Sequence, residues 1–429
     1  MSRPLAILNA RVVDPASGYD GPGAVIVAEG VIADVLRQPG PAGLTSDTEV
    51  IDAGGALLIP GLVDIRVKTG EPGFEPKETL KSAAQAAAAG GVTTMVLQPD
   101  THPVMDEPAV VDFVLRRARD IELVNVYPAG AATKGCQGER MAEIGLMHEA
   151  GCLYVTDADR PIVDSKVLRR VLSYAKAFGT PVAHRPSDPW LSAGAAASEG
   201  EFAARMGLPS VPAVAERIML ERDLALVELT GAPFIVDQIT TAGALETLKR
   251  GLDRGLPVTA TTSINHLSFN EIDIGDYRTF CKLDPPLRSE DDRQAVIDAV
   301  ASGLIQVIVS AHAPAPAEDK RLPYDEAAPG AVGLQTLLPA LLAFHHEGRI
   351  PLIDLIRAVT AAPARLLGLP CGRIAKGAPA DLVLCDLDAP VVVDADKLVS
   401  KSKNSPFDGR RLQGKVLRTL VDGRTVYAP

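Results

Sequence analysis

The sequence predicts an α/β fold, a (β/α)8 TIM barrel accompanied by a small β-rich domain. Two observations lead to this prediction. From residue 61 to about residue 312, short apolar runs typical of buried strands alternate with longer runs of helical periodicity, and there are eight such strand patterns. Both chain ends, by contrast, carry strand patterns and hairpin turns, so they are expected to pair with each other outside the barrel.

The barrel elements follow one another regularly. Strands are predicted where apolar runs recur, near residues 61–67, 92–98, 122–128, 152–156, 180–184, 233–238, 257–262 and 305–310. Helices with one apolar face are predicted between and after them, at 78–89, 110–118, 165–177, 213–229, 242–254, 290–301, 334–346 and 351–368. The interval 185–212, rich in Pro, Ser, Gly and Ala, is predicted to be a loop over the barrel mouth.

The two chain ends are predicted to form one discontinuous β-sandwich. Its strands are expected at 5–13, 24–28, 31–36, 380–386, 391–393 and in a hairpin at 416–426. The dipeptides Glu29-Gly30 and Asp422-Gly423 are typical of tight hairpin turns. The predicted domain boundaries are therefore 1–58 and 370–429 for the sandwich and 59–369 for the barrel.

Composition indicates an ordinary globular protein, with 47% hydrophobic and 23% charged residues. The net charge of −11, without any basic run, argues against nucleic acid and anionic membrane as partners. No apolar stretch reaches the length of a membrane span, and no signal pattern is present. The five cysteines contain no Cys-x-x-Cys, which favours a reducing compartment and argues against a thiolate zinc site. We therefore expect a cytoplasmic protein.

The first barrel strand ends in Asp-Ile-Arg-Val-Lys at residues 64–68, and Glu-Pro-Gly follows at 71–73. This stretch resembles the dihydroorotase family of the amidohydrolase superfamily, whose first strand ends in Asp-x-His-x-His, except that both histidine positions are cationic here. Other stretches that carry the resemblance are 86–94, 98–103, 285–288, 333–336, 363–368 and 400–407. The resemblance covers nearly the whole chain and implies the same architecture, a barrel with a β-domain made from both ends.

The resemblance also implies a zinc site and a proton-shuttling carboxylate at the tips of strands 1, 4, 5, 6 and 8. In this chain those positions read Arg66, Lys68, Asp157, Ala158, His184, Gln238 and Ala311. Neither Arg66 nor Lys68 can bind zinc as a cation, and Ala311 stands where the family has its catalytic aspartate. Whether the family's liganding carboxylate at strand 4 is the retained Asp157 or the lost one at Ala158 stays open. We predict no catalytic residue, no metal and no cofactor, although the family uses zinc.

The positions implied for substrate binding are altered as well. The family holds the substrate carboxylate with an arginine and an asparagine, which are Gly70 and Asp100 here. A further asparagine of the family is Asp284. The loss of a cation and the gain of anions should repel dihydroorotate or carbamoyl aspartate. We therefore assign none of these three positions to substrate binding.

The favoured interpretation of Arg66 and Lys68 is that they stand in for the metal's charge and pair with carboxylates at the mouth. Asp157 is the first choice of partner, with Asp64 and Asp159 as alternatives. A second interpretation is that the two cations bind an anionic ligand. The histidines near the mouth or at helix ends are expected to be structural or solvated, namely His102, His184, His266, His312, His345 and His346.

The function expected from the resemblance lies in pyrimidine biosynthesis, but as a non-catalytic homologue with an intact fold. Some bacteria pair a degenerate dihydroorotase of this type with aspartate carbamoyltransferase, where it is a structural subunit. We expect that partner here, in a homo-oligomer or hetero-oligomer. Two alternatives stay open: a working amidohydrolase with an unusual or metal-poor site, and a binding module that senses a ligand through the old pocket.

Overall fold

The computed structural model describes residues 3–38, 44 and 47–429. Within that part of the chain the strands are β1 (Leu5–Asp14), β2 (Tyr19–Ala28), β3 (Val31–Leu36), β4 (Glu49–Asp52), β5 (Leu57–Pro60), β6 (Leu62–Val67), β7 (Val92–Leu97), β8 (Asn125–Pro128), β9 (Gly130–Ala131), β10 (Val155–Thr156), β11 (Val182–His184), β12 (Ala197–Ser198), β13 (Ser210–Val211), β14 (Phe234–Val236), β15 (Val258–Ser263), β16 (Val307–Val309), β17 (Leu382–Val392), β18 (Arg411–Val421) and β19 (Arg424–Tyr427).

The α-helices of the same residues are α1 (Leu80–Ala89), α2 (Pro108–Ile121), α3 (Ile144–Glu149), α4 (Ser165–Lys176), α5 (Pro189–Ser192), α6 (Glu201–Met206), α7 (Val214–Thr230), α8 (Ala242–Asp253), α9 (Ile264–Ser268), α10 (Glu290–Ala301), α11 (Ala317–Lys320), α12 (Leu337–His346), α13 (Leu352–Val359) and α14 (Ala361–Leu366). Short 3-10 helices lie at Lys134–Cys136, Glu271–Ile274, Thr279–Cys281 and Ala395–Lys397. None of these helices is long and apolar enough to cross a membrane.

The predicted (β/α)8 barrel is confirmed. Its strands are β6, β7, β8 continued by β9, β10, β11, β14, β15 and β16, which pair in parallel. The circle closes where the Lys68 amide donates to the carbonyl oxygen of His312 at 2.8 Å. Because the strands are parallel, their carboxyl ends meet at one mouth, where residues distant in sequence come together.

The barrel interior is filled, as expected for eight strands. Its apolar residues include Val63, Ile65, Val96, Tyr154 and Ile235. The outer helices cover the strands with their apolar faces, and α1 is one example, with four of its alanines fully inaccessible. Small side chains let this helix lie close to β7 and to the β-rich domain at the same time.

Strands from both chain ends form one hydrogen-bonded sheet in the order β19-β18-β17-β5-β1-β2-β3, and β4 pairs with β1. The join between the ends is β5, which runs antiparallel to β17 with Pro60 opposite Leu382. The expected pairing of the two ends is therefore present. Both predicted hairpin turns are present too, with positive φ at Glu29, Gly30, Asp422 and Gly423, as such turns require.

Three local predictions were wrong. Residues 185–212 contain α5, α6 and the parallel pair β12–β13, where a loop was expected. The helix expected over 351–368 is divided at Thr360, because Pro363 has no N–H to donate and its ring would clash with a continuing helix. The strands expected at 380–386 and 391–393 are one strand, β17, with an irregular register between Asp386 and Pro390.

Candidate site at the barrel mouth

The barrel mouth holds seven charged side chains in one connected network, which we call the ion belt. Its members are Arg66, Lys68, Asp100, Asp159, Arg185, Asp237 and Asp284. They lie at the ends of β6, β7, β10, β11, β14 and β15 or in the loops that follow these strands. The belt therefore links most of the circumference of the mouth by charge.

Arg66 is one of the two deeply buried cations of the belt, and 4% of its side chain is exposed, as for Arg185. Its Nε donates to both oxygens of Asp237, at 3.0 and 2.8 Å, and its Nη2 donates to Asp159 Oδ1 at 2.6 Å. The planar guanidinium thus joins β6 to the loops after β10 and β14, a bridging geometry that lysine could not reproduce.

Lys68 lies two residues further on and on the same side of β6. Its Nζ donates to Asp100 Oδ2 at 2.5 Å and also to Asp159. Asp159 therefore accepts from both cations of β6, and the Nη1 of Arg185 lies 3.5 Å from the same carboxylate. The position of the carboxylate between three cations makes Asp159 the centre of the belt.

The far end of the belt is the pair between Arg185 and Asp284. The guanidinium binds the carboxylate with two nitrogens, Nη1 to Oδ2 at 2.7 Å and Nη2 to Oδ1. This is the bidentate arrangement that favours arginine over lysine. Asp284 is one of the positions that depart from the family pattern, and the structure shows that Arg185 compensates its charge.

Electrostatics keep the centre of the belt ionised. Burial alone would raise the pKa of Asp159, but Lys68, Arg66 and Arg185 together lower it. Burial alone would lower the pKa of Arg66, and Asp237 and Asp159 instead raise it. The pKa of Lys68 is likewise raised, by Asp100 and Asp159, against the effect of burial. With three cations facing four carboxylates, the belt carries a formal charge near −1.

Asp157, the first-choice partner of the cations, is not part of the belt, so that prediction was wrong. Its carboxylate accepts from the Thr133 amide at 2.8 Å and from the Thr133 hydroxyl. The reason is the backbone of Ala158, whose φ of 54° is left-handed and breaks the alternation of an extended strand. Asp157 therefore faces the loop after β9, and Asp159 reaches the mouth.

Asp64, the other alternative, lies below the belt and is fully buried. One oxygen accepts from the amides of Arg66 at 3.2 Å and Ser310 at 3.4 Å, and the other has no partner among the described residues. Burial raises the pKa of Asp64 to about 6. Asp64 therefore pairs with the backbone near Arg66 and not with its guanidinium.

Three of the substituted strand tips have left-handed backbones. The φ angles are 54° at Ala158, 60° at Gln238 and 51° at Ala311. This conformation costs an L-residue roughly 1–2 kcal/mol. The Gln238 amide lies against Arg66 and, with its oxygen turned toward the guanidinium, accepts from Nη2 at 3.1 Å.

His184 has both ring nitrogens engaged. Nδ1 lies 2.7 Å from Asp223 Oδ2, and Nε2 accepts from the Ile162 amide at 2.8 Å. These bonds assign the proton to Nδ1 and leave no lone pair for a metal. His266 is similarly enclosed, between Ser263 and the carbonyl of Pro285, and burial lowers its pKa to about 3.

His312 belongs to a second network behind the mouth. Its Nδ1 accepts from the Gly333 amide at 3.1 Å, and its Nε2 lies 3.6 Å from the buried carboxylate of Glu78. Glu78 also accepts from the Ser400 hydroxyl and, at 3.0 Å, from the Lys401 amide. These contacts tie the loop after β6 and the loop after β16 to residues 398–407, and we call this network the brace.

Asn404 provides the other half of the brace. Its Nδ2 donates to the carbonyls of Ala313 at 3.1 Å and Gly330 at 2.9 Å, and its Oδ1 accepts from the Ala315 amide at 3.1 Å. Asn404 is 1% exposed, so its amide group has little contact with solvent. The stretch 400–407 therefore closes the loop of strand 8 against the β-rich domain.

Gly70 lies where no side chain fits. A Cβ added there would come within 1.8 Å of the Phe74 carbonyl oxygen and 2.7 Å of that of Glu78. The Gly70 amide donates to the same Glu78 oxygen at 2.8 Å, which fixes the turn. An arginine at this position would require a different loop conformation.

A pocket of about 260 Å³ remains above the belt. Its lining includes Lys68, Asp159, Gln238, Asn265 and Ala311. Asn265 is 1% exposed, and its Oδ1 has no hydrogen-bond partner within the described residues. His102, His345 and His346 are not among the lining residues.

Comparisons with family models and with individual proteins agree on the family that this chain resembles. A family model described as Dihydro-orotase-like matches residues 55–244, and one described as Amidohydrolase family matches residues 341–427. A dihydroorotase of Anaeromyxobacter dehalogenans (strain 2CP-1 / ATCC BAA-258) is 41% identical over 429 residues, covering 100% of this chain and 98% of the relative. The chain belongs to the dihydroorotase family. A dihydroorotase of Pelobacter propionicus is 39% identical, with 99% of each chain covered.

Solved structures with the same fold include more distant amidohydrolases. An L-hydantoinase from Arthrobacter aurescens superposes with a TM-score of 0.88 at 24% identity, covering 100% of this chain and 96% of that one. A dihydropyrimidinase from Brevibacillus agri NCHU1002 gives a TM-score of 0.86 at 20% identity, with 99% and 95% covered. These likenesses confirm a TIM barrel with an additional β-domain.

The residues of this family member do not fit the zinc that the family uses. At the tip of β6 two cations would oppose a dication, and both are held by carboxylates. Asp157 and His184 are engaged elsewhere. Among the described residues, no three His, Cys, Asp or Glu side chains are grouped so that they could hold a metal ion. We therefore derive no step through a metal.

Sequence reasoning missed two members of the belt. Asp237 directly precedes Gln238 at the end of β14, and Arg185 directly follows His184 at the end of β11. Asp237 borders a substituted family position and Arg185 borders a retained one, and each introduces a charge at a strand tip. That combination was the available signal, since a buried charge at the mouth must find a partner of opposite sign.

Proposed function

We propose that this dihydroorotase homologue works in pyrimidine biosynthesis without dihydroorotase catalysis, as a structural subunit that supports assembly of aspartate carbamoyltransferase. The ion belt is the observation that supports the first part of this proposal, the absence of dihydroorotase catalysis. Arg66 and Lys68 extend from the tip of β6 and are held by Asp237, Asp159 and Asp100. The belt therefore supplies positive charge at the strand-1 positions that the family uses for metal ligands.

The chemistry left at the mouth is poor for amide hydrolysis. A proton shuttle needs a carboxylate whose pKa lies near the working pH. Ala311 offers no such group, and the pKa of Asp159 is lowered by three cations. The pKa of Asp64 is raised to about 6, but this carboxyl group is fully buried below the belt. The belt's formal charge near −1 also disfavours an anionic substrate. The variant Arg66→His/Lys68→His/Gln238→His is accordingly expected to show no turnover, because Ala311 and Gly70 remain.

The assembly role is supported by the contrast between a changed mouth and an intact fold. The brace and the buried core keep the whole barrel folded, and a folded barrel offers a large surface to a partner. A specific interface of this kind should bury at least about 1,000 Å². The choice of aspartate carbamoyltransferase as partner rests on the resemblance to degenerate dihydroorotases that accompany that enzyme.

Co-expression with the cognate carbamoyltransferase tests the assembly role. We expect one high-mass species that contains both chains, and we expect carbamoyltransferase to lose assembly or thermal stability when this chain is deleted. The matched control is the same carbamoyltransferase purified alone. Separate elution at micromolar concentration, with the carbamoyltransferase fully assembled and active by itself, would overturn the assembly role.

A ligand-sensing role is the second candidate, and the pocket above the belt favours it. The pocket of about 260 Å³ has one buried acceptor without a partner among the described residues, Asn265 Oδ1. Titration calorimetry with dihydroorotate and with carbamoyl aspartate distinguishes the candidates. Saturable binding without turnover would favour sensing, turnover would favour an active enzyme, and neither is expected if the chain is only structural.

A further inference from the structure

We propose that the pocket above the ion belt binds a small aliphatic amine in its protonated form, with the ammonium group against carboxylates of the belt and the hydrocarbon chain against the apolar part of the lining. The inference goes beyond the assembly role, because it assigns a chemical class of ligand to the pocket. It rests on which side chains of the belt are exposed, on one unpartnered buried acceptor and on the apolar residues of the lining.

The cations of the belt are poorly placed to bind a ligand. The side chains of Arg66 and Arg185 are each 4% exposed, and that of Lys68 is 18% exposed. Each of the three already donates to at least one carboxylate of the belt. An anion that approached Lys68 would also meet the carboxylates that hold it, and their repulsion would offset the attraction. The buried cations therefore do not favour an anionic ligand.

Three carboxylates of the belt, by contrast, are exposed at the pocket. The exposed fractions are 33% for Asp159, 34% for Asp100 and 43% for Asp284, and all three residues line the pocket. Asp100 accepts from Lys68 through Oδ2, and its Oδ1 accepts no hydrogen bond from the described residues. Because an ionised carboxylate offers about four acceptor sites, such oxygens can accept further N–H groups. The pocket therefore offers anionic acceptors to a ligand.

Lys77 also lines the pocket but lies outside the belt. Its Nζ lies 5.1 Å from the centre of the Phe74 ring, whose face attracts a cation. Together with Arg66 and Lys68 it balances the three exposed carboxylates, so the formal charge of the lining is near zero. The exposure of the charged groups, and not their sum, therefore decides the sign of the ligand.

Asn265 is an independent indication that the ligand carries N–H donors. It lies in the first turn of α9, lines the pocket and is 1% exposed. Its Nδ2 donates to the Ser310 carbonyl at 3.5 Å, and its Oδ1 has no hydrogen-bond partner among the described residues. A buried acceptor without a donor is destabilising. An ammonium group has three N–H donors, so one such group can serve this oxygen and carboxylates of the same pocket.

The remaining lining suits a short hydrocarbon chain. Its apolar residues include Leu283, Ala313, Pro314 and Pro329. Burial of methylene groups against such a surface is favourable. The pocket volume of about 260 Å³ lies below the range of about 300–1,000 Å³ that is usual for drug-sized ligands. The ligand is therefore expected to be an amine with only a few carbon atoms.

Titration calorimetry of the purified chain with n-butylamine tests the proposal, because this amine is protonated at neutral pH. We expect one molecule to bind per chain, with a dissociation constant on the order of 1 mM or lower. Butyrate and butan-1-ol have chains of similar length without the positive charge, and each should bind at least about tenfold more weakly. Ethylamine, which has two methylene groups fewer, should bind about tenfold more weakly than butylamine.

Two variants test whether the amine lies in the pocket. Asp100→Asn removes an exposed negative charge and should weaken butylamine binding about tenfold. Asn265→Leu removes the unpartnered acceptor at similar volume and should weaken binding about fivefold. The matched control is Asp276→Asn, which changes the net charge equally at an exposed residue outside the lining and should leave binding unchanged. Asp100 is partly exposed, so its variant provides the test even if Asn265→Leu does not fold.

Three results would overturn the proposal. The first is no saturable binding of butylamine up to tens of millimolar. The second is tighter binding of butyrate than of butylamine, which would mean that the cations select an anion. The third is amine binding that neither Asp100→Asn nor Asn265→Leu weakens, because the amine would then lie elsewhere. These measurements use the chain alone, so a failure here is distinguishable from a failure of the assembly role.

Discussion

The ion belt lies at the barrel mouth and the brace lies behind it, and the two differ in how far they depart from the family pattern. The brace uses Ser400 and Asn404 from a stretch that still resembles the family, and each of its side chains closes a loop. In the belt, Arg66, Lys68 and Asp100 replace family residues, and each new charge meets one of opposite sign.

This difference separates two tasks that one active site normally combines. Residues that hold the loops are retained, because losing them would leave buried polar groups unpaired. Residues that would perform chemistry have changed together, in a way that satisfies their charges. The proposed function accounts for this difference as a mouth kept for stability and not for turnover, and the following predictions test each side of the comparison.

The largest effect is expected from breaking the belt at Arg66, a deeply buried cation that pairs with two carboxylates. Arg66→Met removes the cationic partner of Asp237 and one cationic partner of Asp159, which leaves buried carboxylates uncompensated. We therefore expect the free energy of unfolding to fall by about 3–5 kcal/mol. The matched control is Arg11→Met, which removes a bidentate arginine–carboxylate pair with Asp20 at 2.8 Å on the surface. For that variant, the free energy of unfolding measured with urea should fall by less than about 1 kcal/mol. Equal losses of unfolding free energy in the two variants would mean that the belt stabilises the protein no more than a surface ion pair does.

The brace should be the next most sensitive point. Glu78→Ala leaves the Ser400 hydroxyl and the Lys401 amide without their acceptor, and we expect a loss of about 3 kcal/mol. Glu75→Ala, at an exposed residue of the same loop, is the control and should have little effect on the unfolding midpoint. A brace variant that unfolds like the control would show that residues 398–407 do not hold the mouth.

Asp64 provides a test by pH. Its pKa is raised in the folded state to about 6 from 3.8, so its ionisation opposes folding as the pH rises through that interval. Asp64→Asn should therefore stabilise the protein by up to about 3 kcal/mol at pH 7.5 and should have little effect near pH 4. Urea unfolding at both pH values measures this difference. An equal effect at the two pH values would contradict the assignment of a buried, ionised Asp64.

The smallest effect is expected at the substituted strand tips. Ala158→Gly and Ala311→Gly each relieve a left-handed backbone, for a net gain of about 0.5–1 kcal/mol after the greater entropy of the unfolded chain is included. Ala183→Gly, within β11, is the control, and its free energy of unfolding should fall by about 0.5–1 kcal/mol. A loss at all three positions would contradict the strained backbone at the mouth.

The barrel was predictable from sequence because its strands are buried runs separated by amphipathic helices, a pattern that depends on local periodicity. The presence of ion pairs at the mouth was predictable, because two cations at the tip of β6 need carboxylate partners. The choice between Asp157 and Asp159 was not predictable. It depends on the φ of Ala158, and no local propensity would place an alanine in the left-handed region.

Residues 185–212 are a second example of structure that could not be predicted from the sequence, over a longer segment. Its composition is typical of a loop, but Asp188 caps α5 by accepting from the amides of Trp190 and Leu191. The short strands β12 and β13 pair only with each other, across the eleven residues 199–209. Such pairings depend on contacts distant in sequence, which composition does not encode.

The central claim is that the belt has taken the place of the family's metal chemistry. The most direct measurement is the zinc content of the purified chain after dialysis without chelator, with dihydroorotase activity assayed in both directions on the same sample. We expect far less than one zinc per chain and no detectable turnover. One zinc per chain, located at the barrel mouth and accompanied by turnover that Arg66→Met abolishes, would contradict the claim.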